Sequence, residues 1–141
     1  SMQIARVMTT HPMTVNLDTQ LSRIKWIFDN HPFRHLIVTD NGKLVGIVSD
    51  RDVMNNLSPT VATRKETPKD AALLTKRAHQ IMAHNPDFIK ASDNIFDAIT
   101  LFYKKKISCL PVVDEDNVPV GIITTHDVFE VLYEQHQASK K

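Results

Sequence analysis

A chain of 141 residues and 16.0 kDa has room for one compact core and little for a second. Its 42% hydrophobic and 23% charged residues give a globular balance, and no apolar run approaches the ~18 residues that cross a bilayer, which excludes a disordered or membrane-spanning chain. Lys and Arg (17) nearly cancel Asp and Glu (16), leaving +1, so the whole-chain field that draws proteins to nucleic acid or anionic lipid is missing and neither partner is expected. Cys109 is the sole cysteine; with no disulfide or cysteine zinc cage to build, a reducing, cytoplasmic setting is expected. No secretion leader is expected, and Ser1 reads as a remnant ahead of Met2.

In chain order, Val7-Met8 and Pro12 open a pattern that returns at Ile81-Met82 and Pro86, an offset of 74 residues. Extended pieces follow at Met13 to Leu17 and Asp87 to Ala91. Helices come next, with Asp18 and Ser92 as expected N-caps. Their apolar stripes, Leu21, Ile24, Ile27, Phe28 and Ile95, Ala98, Ile99, Phe102, have the period of a half-buried helix. A hairpin then reads as Leu36 to Thr39, an Asp40-Asn41-Gly42 turn of type I′ chemistry, and Leu44 to Val48. The second copy is Leu110 to Val113 and Val118 to Ile123; one inserted residue raises the offset to 75, so Val45-Gly46-Ile47 falls on Val120-Gly121-Ile122. Short helices start near Ser49 and Thr124. The unit is β-α-β-β-α, twice: residues 4–57 and 79–133, with a linker at 58–78 and a tail at 134–141. The linker's second half, with Thr67 as N-cap, Pro68 at N1 and Asp70 at N3, predicts a helix.

Two turns carry the chemistry. Gly46-Ile47-Val48-Ser49-Asp50-Arg51-Asp52 and Gly121-Ile122-Ile123-Thr124-Thr125-His126-Asp127 both fit G-h-h-[ST]-x-x-D. A strand ending in a hydroxyl residue at a helix start presents free N–H groups to an anion. A carboxylate three residues on suits a vicinal diol such as a ribose. The same residues are also an ordinary capping pair, hydroxyl at N-cap and acid at N3. Their occurrence at equivalent places in a repeat adds weight to the nucleotide reading.

The β-α-β-β-α tandem, the openings Met8 to Pro12 and Met82 to Pro86, the strand Ile107 to Asp114 and the two turns together resemble a pair of CBS domains, a Bateman module. With the segment Thr75 to Met82, the chain is similar to the stand-alone CBS-pair proteins of the acetoin-utilisation type. The resemblance implies an α+β fold in which tandem repeats related by a pseudo-two-fold axis form one module. It implies adenosine-containing ligands in clefts between repeats, a disk-like homodimer, and no catalysis. Carried over by position, Asp52 and Asp127 match the ribose-binding Asp and Ser49 and Thr124 the accompanying hydroxyl, with Arg51 and His126 between them. Basic residues before the Leu-x-Val strand, near phosphates in the family, are Arg34 and His35 here; Ser108 and Cys109 stand in the second copy. Thr10, Pro12 and Val15, with Asn85, Pro86 and Ile89, are candidates for the adenine slot, Val15 and Ile89 reading equally as strand core. Which opening faces which Asp stays open at this stage.

The seven histidines suggest no metal: Pro32 separates His31 from His35. Cys109 sits in an apolar strand as a small hydrophobe rather than a nucleophile. The Lys104 to Lys106 run reads as solvated charge. Trp26, off the helical stripe, is either partly buried or a dimer contact. The expected function is a regulatory sensor of AMP, ADP or ATP, or of S-adenosylmethionine or NADH, read by an effector protein and needing no cofactor. The alternative is a ligand-free assembly module.

Overall fold

The computed structural model describes residues 2–57, 59–61 and 63–140. The chain is mixed α+β, with eight strands in two four-stranded sheets and six α-helices among the described residues. The described residues divide into two compact units with a core each, where the length alone suggested a single core: one lies within 2–12 and 86–140, the other within 13–85.

The second unit is the simpler to follow in sequence. It holds β2 (Thr14–Asn16), α1 (Leu21–Asp29), β3 (His35–Asp40), β4 (Lys43–Ser49), α2 (Asp50–Asn55), α3 (Pro68–Leu73), α4 (Ala78–Ile81) and β5 (Ala83–His84). Its sheet runs β2-β3-β4-β5, with β2 parallel to β3 and the remaining pairs antiparallel. Asp40 pairs with Lys43 across a two-residue turn in which Asn41 (φ 50°) and Gly42 (φ 80°) both take left-handed angles, as a type I′ turn demands. Leu21, Ile24 and Ile27 of α1 pack on Leu36, Val38 and Val48 of the hairpin, and Ala78, Ile81 and Met82 complete this core.

The first unit combines a 3₁₀ turn (Ile4–Arg6) and β1 (Thr9–Thr10) with β6 (Ile89–Lys90), α5 (Ile95–Lys105), β7 (Cys109–Val113), β8 (Pro119–Thr124) and α6 (Thr125–Ser139). Its sheet runs β1-β8-β7-β6. Ile4 packs with Ile89, Ile95, Ala98, Phe102, Leu110, Val112 and Ile123.

The opening of each repeat is therefore a strand of the sheet built by the other repeat's hairpin. β1 pairs with β8 (Thr9 with Ile122), and β5 pairs with β4 (Ala83 with Ile47). The glycines make room for this. A Cβ on Gly46 would strike Met82 Sδ, and one on Gly121 would stand 2.9 Å from the Thr9 carbonyl and 3.0 Å from Met8 Cγ. The Met and Gly that recur in the repeat are thus two halves of one contact, exchanged between copies. After each exchanged strand the backbone turns through a left-handed residue, His11 (φ 52°) or Asn85 (φ 47°), side chains that tolerate this angle better than most.

One sequence expectation is corrected. The N-caps of α1 and α5 are Gln20 and Asn94, not Asp18 and Ser92. Gln20 bridges to Arg77 and Asn94 to Gln3, which keeps both residues extended until the helix begins. The linker helix has the predicted Thr67 cap and Asp70 partner but ends at Leu73, because Lys76 and Ala78 bond to Leu21 and Thr19 and hold Arg77 extended. The segment 134–141 continues α6 as far as Ser139.

Candidate functional site

Each unit carries one of the two turns where a strand runs into a helix. At the end of β4, the Ser49 N–H donates to Asp52 Oδ2 (2.8 Å) and the Asp52 N–H to Ser49 Oγ (3.1 Å). At the end of β8, the Thr124 N–H donates to Asp127 Oδ2 (2.8 Å) and the Asp127 N–H to Thr124 Oγ1 (3.2 Å). Both capping pairs are thus formed, and all four side chains are half-buried. Each pair uses only one carboxylate oxygen. Among the described residues no hydrogen bond engages Oδ1 of Asp52 or Asp127.

The residue before each hairpin anchors its turn in the same way. The Asp50 N–H donates to the Arg34 carbonyl and the Thr125 N–H to the Ser108 carbonyl, both at 3.0 Å. His35 pairs with Ser49 and Cys109 with Thr124. The two turns are geometrically equivalent, and their side chains differ. Arg34 and Arg51 are exposed and His35 half-buried, whereas the matching places hold Ser108, His126 and Cys109. Asp50, which the motif leaves as a variable position, adds a carboxylate that accepts from the Arg51 N–H (2.8 Å). Burial holds the His35 imidazole below its ordinary pKa, against the pull of Asp50 and Asp52 and with some help from Arg34. Burial, with the Asp127 charge, pushes the Cys109 thiol up to about 12, so at neutral pH it is a thiol and no nucleophile.

The exchange of openings answers the question of which segment lies with which Asp. Thr10, exposed on β1, stands beside β8 in the unit of Asp127; Asn85, exposed just after β5, donates its N–H to the Val45 carbonyl (3.2 Å) in the unit of Asp52. Pro12 and Pro86, both half-buried, belong to the unit of Asp127. The set Thr10, Pro12 and Val15 is therefore divided, since Val15 lies in the unit of Asp52 and Ile89 in that of Asp127. Val15 and Ile89 are core residues, 8% and 3% exposed, so their side chains are closed to an adenine ring. What they retain is a position on β2 and β6, each at one edge of its sheet.

Both repeats match the CBS domain family, at residues 4–59 and 78–134. The chain belongs to the CBS domain family. An uncharacterized protein of Methanocaldococcus jannaschii is 29% identical over 140 residues, which is 99% of this chain and 48% of that one, so the chain spans about half of that relative's length. A CBS domain-containing protein of Dictyostelium discoideum is 29% identical over 92% of this chain and 90% of its own. Among solved structures, the protein AcuB of Vibrio cholerae, assigned to acetoin utilization, has TM-score 0.79 at 25% identity, covering 99% of this chain and 96% of that one. The CBS-pair protein CBSX2 of Arabidopsis thaliana has TM-score 0.76 at 28% identity, covering 96% of both chains. CBSX2 has also been solved with AMP, and the CBS pair of a protein named MJ0100 with 5′-methylthioadenosine and S-adenosylmethionine. The latter has TM-score 0.76 at 24% identity, covering 95% of this chain and 98% of that one. The two-sheet α+β fold described above is thus one that this chain shares with solved CBS pairs.

Proposed function

We propose that this CBS pair is a regulatory module that binds adenosine-containing ligands at its two turns, with no catalytic step of its own. The observation that carries the reading is the unengaged Oδ1 on Asp52 and Asp127, each held in place by a closed cap. A ribose diol donates to that oxygen without opening the helix. Ser49 and Thr124 supply the adjoining hydroxyls. In one unit Arg34, His35 and Arg51 stand near the phosphates, and Asn85 and the edge of β2 at Val15 serve the base. In the other, His126 takes the place of Arg51, and Thr10, Pro12, Pro86 and the edge of β6 at Ile89 serve the base. Relatives solved with AMP, methylthioadenosine and S-adenosylmethionine support the ligand class.

Binding at two turns becomes regulation when a partner reads it. We place the module in the cytoplasm, as a homodimer, with an effector protein as reader. The homodimer rests on Phe96 (67% exposed), Tyr103 (82%), Phe129 (64%) and Tyr133 (64%) on α5 and α6, apolar area that a second copy would cover. Trp26, 50% exposed with the Arg23 guanidinium 4.7 Å from its ring centroid, is a second contact.

The test is isothermal titration with AMP and ATP. Asp52→Asn and Asp127→Asn keep an oxygen for the cap and lose the anionic acceptor, so each should weaken its turn about ten- to a hundred-fold, the worth of a hydrogen bond to a charged group. Unchanged binding in the double variant would reject the reading. Sedimentation of Trp26→Ala and Tyr133→Ala tests the dimer: a shift towards monomer is expected, and an unaltered dimer would remove these contacts.

A further inference from the structure

We infer that a second copy of this chain docks head-to-tail: the face of α5 and α6 in one copy covers the face of α1 and α2 in the other, and the reciprocal contact closes the pair. The inference rests on the homodimer proposed above and adds which surface meets which.

The repeat allows the two faces to be compared position by position. Phe96, Tyr103, Phe129 and Tyr133 stand exposed on two neighbouring helices of one unit, at the places where the other copy of the repeat has Ser22, Asp29, Met54 and Ser58. Trp26, exposed on α1, matches Thr100. Apart from Met54 and Phe129, each matched pair joins a large aromatic to a small or polar residue. Pairing like with like sets aromatic on aromatic in one contact and leaves Ser22 and Asp29 to face themselves in the other. Head-to-tail pairing gives both contacts the same share of bulk, as close packing across an interface requires. The exposed aromatics with Met54 leave on the order of 100 Å² open each, so the two contacts together cover about 1,200 Å², enough for a specific interface.

Charge divides the faces in the same sense. Glu130 and Glu134 are exposed beside Phe129 and Tyr133, and among the described residues neither carboxylate makes a hydrogen bond or ion pair. On the other face the Arg23 guanidinium lies over the Trp26 ring with no carboxylate partner among the described residues, and Lys25 is paired with Asp29 at 2.6 Å. Asp97 stands in the repeat where Arg23 stands in the first copy. Pairing like with like brings Glu to Glu and Arg to Arg, a repulsion that selects against that arrangement. Head-to-tail pairing brings the free carboxylates to the free guanidinium.

Sedimentation equilibrium of the full chain tests the arrangement. Arg23→Glu alone, and Glu130→Arg with Glu134→Arg, should each weaken the dimer about ten-fold, since the charge pair occurs in both contacts, and the three substitutions combined in one chain should recover most of the loss. Added salt should weaken the parent dimer. Cross-linking gives a reading independent of charge. Chains carrying Met54→Cys, mixed with chains carrying Tyr133→Cys, should couple to each other through a short bismaleimide more than either kind couples to itself, the Cys109 thiol being buried. No loss in the charge variants, a loss without recovery in the triple variant, a parent dimer strengthened by salt, or self-coupling that outpaces mixed coupling would overturn the head-to-tail arrangement and leave the homodimer standing. A parent chain that sediments as a monomer at every concentration would remove the homodimer and the arrangement together.

Discussion

One oxygen of Asp52 and of Asp127 closes a helix and the other is left over, so a variant at either position has two effects that must be separated. Asp52→Ala removes the acceptor of the Ser49 N–H and should lower stability by about 1 kcal/mol. Asp52→Asn, which retains an acceptor, should cost less; unfolding in urea measures both, and an undiminished stability in Asp52→Ala would mean that the cap contributes nothing. His35 provides a dependence on pH. Its folded pKa lies below the unfolded one, so the folded state resists protonation. Its share of stability is fully present above about 6.5 and is lost as pH falls from there towards the lower folded value. Urea midpoints followed from neutral to mildly acid pH should therefore fall more steeply for the parent than for His35→Gln, and parallel slopes would contradict the assignment. The hydroxyl and carboxylate of each turn, and the helix starts at Ser49, Thr124 and Thr67, were legible in sequence because a capping pair is a local signal.

Helix starts fixed by distant partners were not legible. Asp18 and Ser92 have the right chemistry for an N-cap, yet the bridges Gln20 to Arg77 and Asn94 to Gln3 decide where α1 and α5 begin. The same holds for the linker, where good helix formers between Leu73 and Ala78 yield to pairing with Thr19 and Leu21. The exchanged strands β1 and β5 depend on the two glycines they pack against. Gly46→Ala and Gly121→Ala should each cost about 1 to 3 kcal/mol as overpacked positions. At both positions the nearest obstacle is a flexible Met sulfur, of Met82 or Met8, and Gly121→Ala should be slightly the worse, since its new methyl meets the Thr9 carbonyl at 2.9 Å where that on Gly46 meets the Ala83 carbonyl at 3.1 Å. Met82→Ala should accordingly recover part of the loss in Gly46→Ala. A double variant no more stable than Gly46→Ala would deny the contact.

For the whole chain, the repeat was visible as matching letters, but the pairing of each opening with the other repeat's hairpin was not, because identical patterns fit their own copy equally well. That exchange decides the composition of both candidate sites, placing Thr10 with Asp127 and Asn85 with Asp52. It also explains why Met and Gly recur at the same places in both copies. The core residues Val15 and Ile89 show the limit of transferring roles by position: the resemblance offers them for the adenine slot, and burial commits their side chains to the core. We expect the folded chain to bind adenosine ligands through its two Asp turns, and a thermal-shift titration with AMP, ATP and S-adenosylmethionine reads such binding. A ligand held only by the folded state should raise the melting temperature saturably, by RT ln(1 + [L]/Kd) in free energy, and the rise should vanish when Asp52→Asn and Asp127→Asn are combined. An unmoved melting temperature with every ligand at millimolar concentration, or a rise that survives in the double variant, would contradict it.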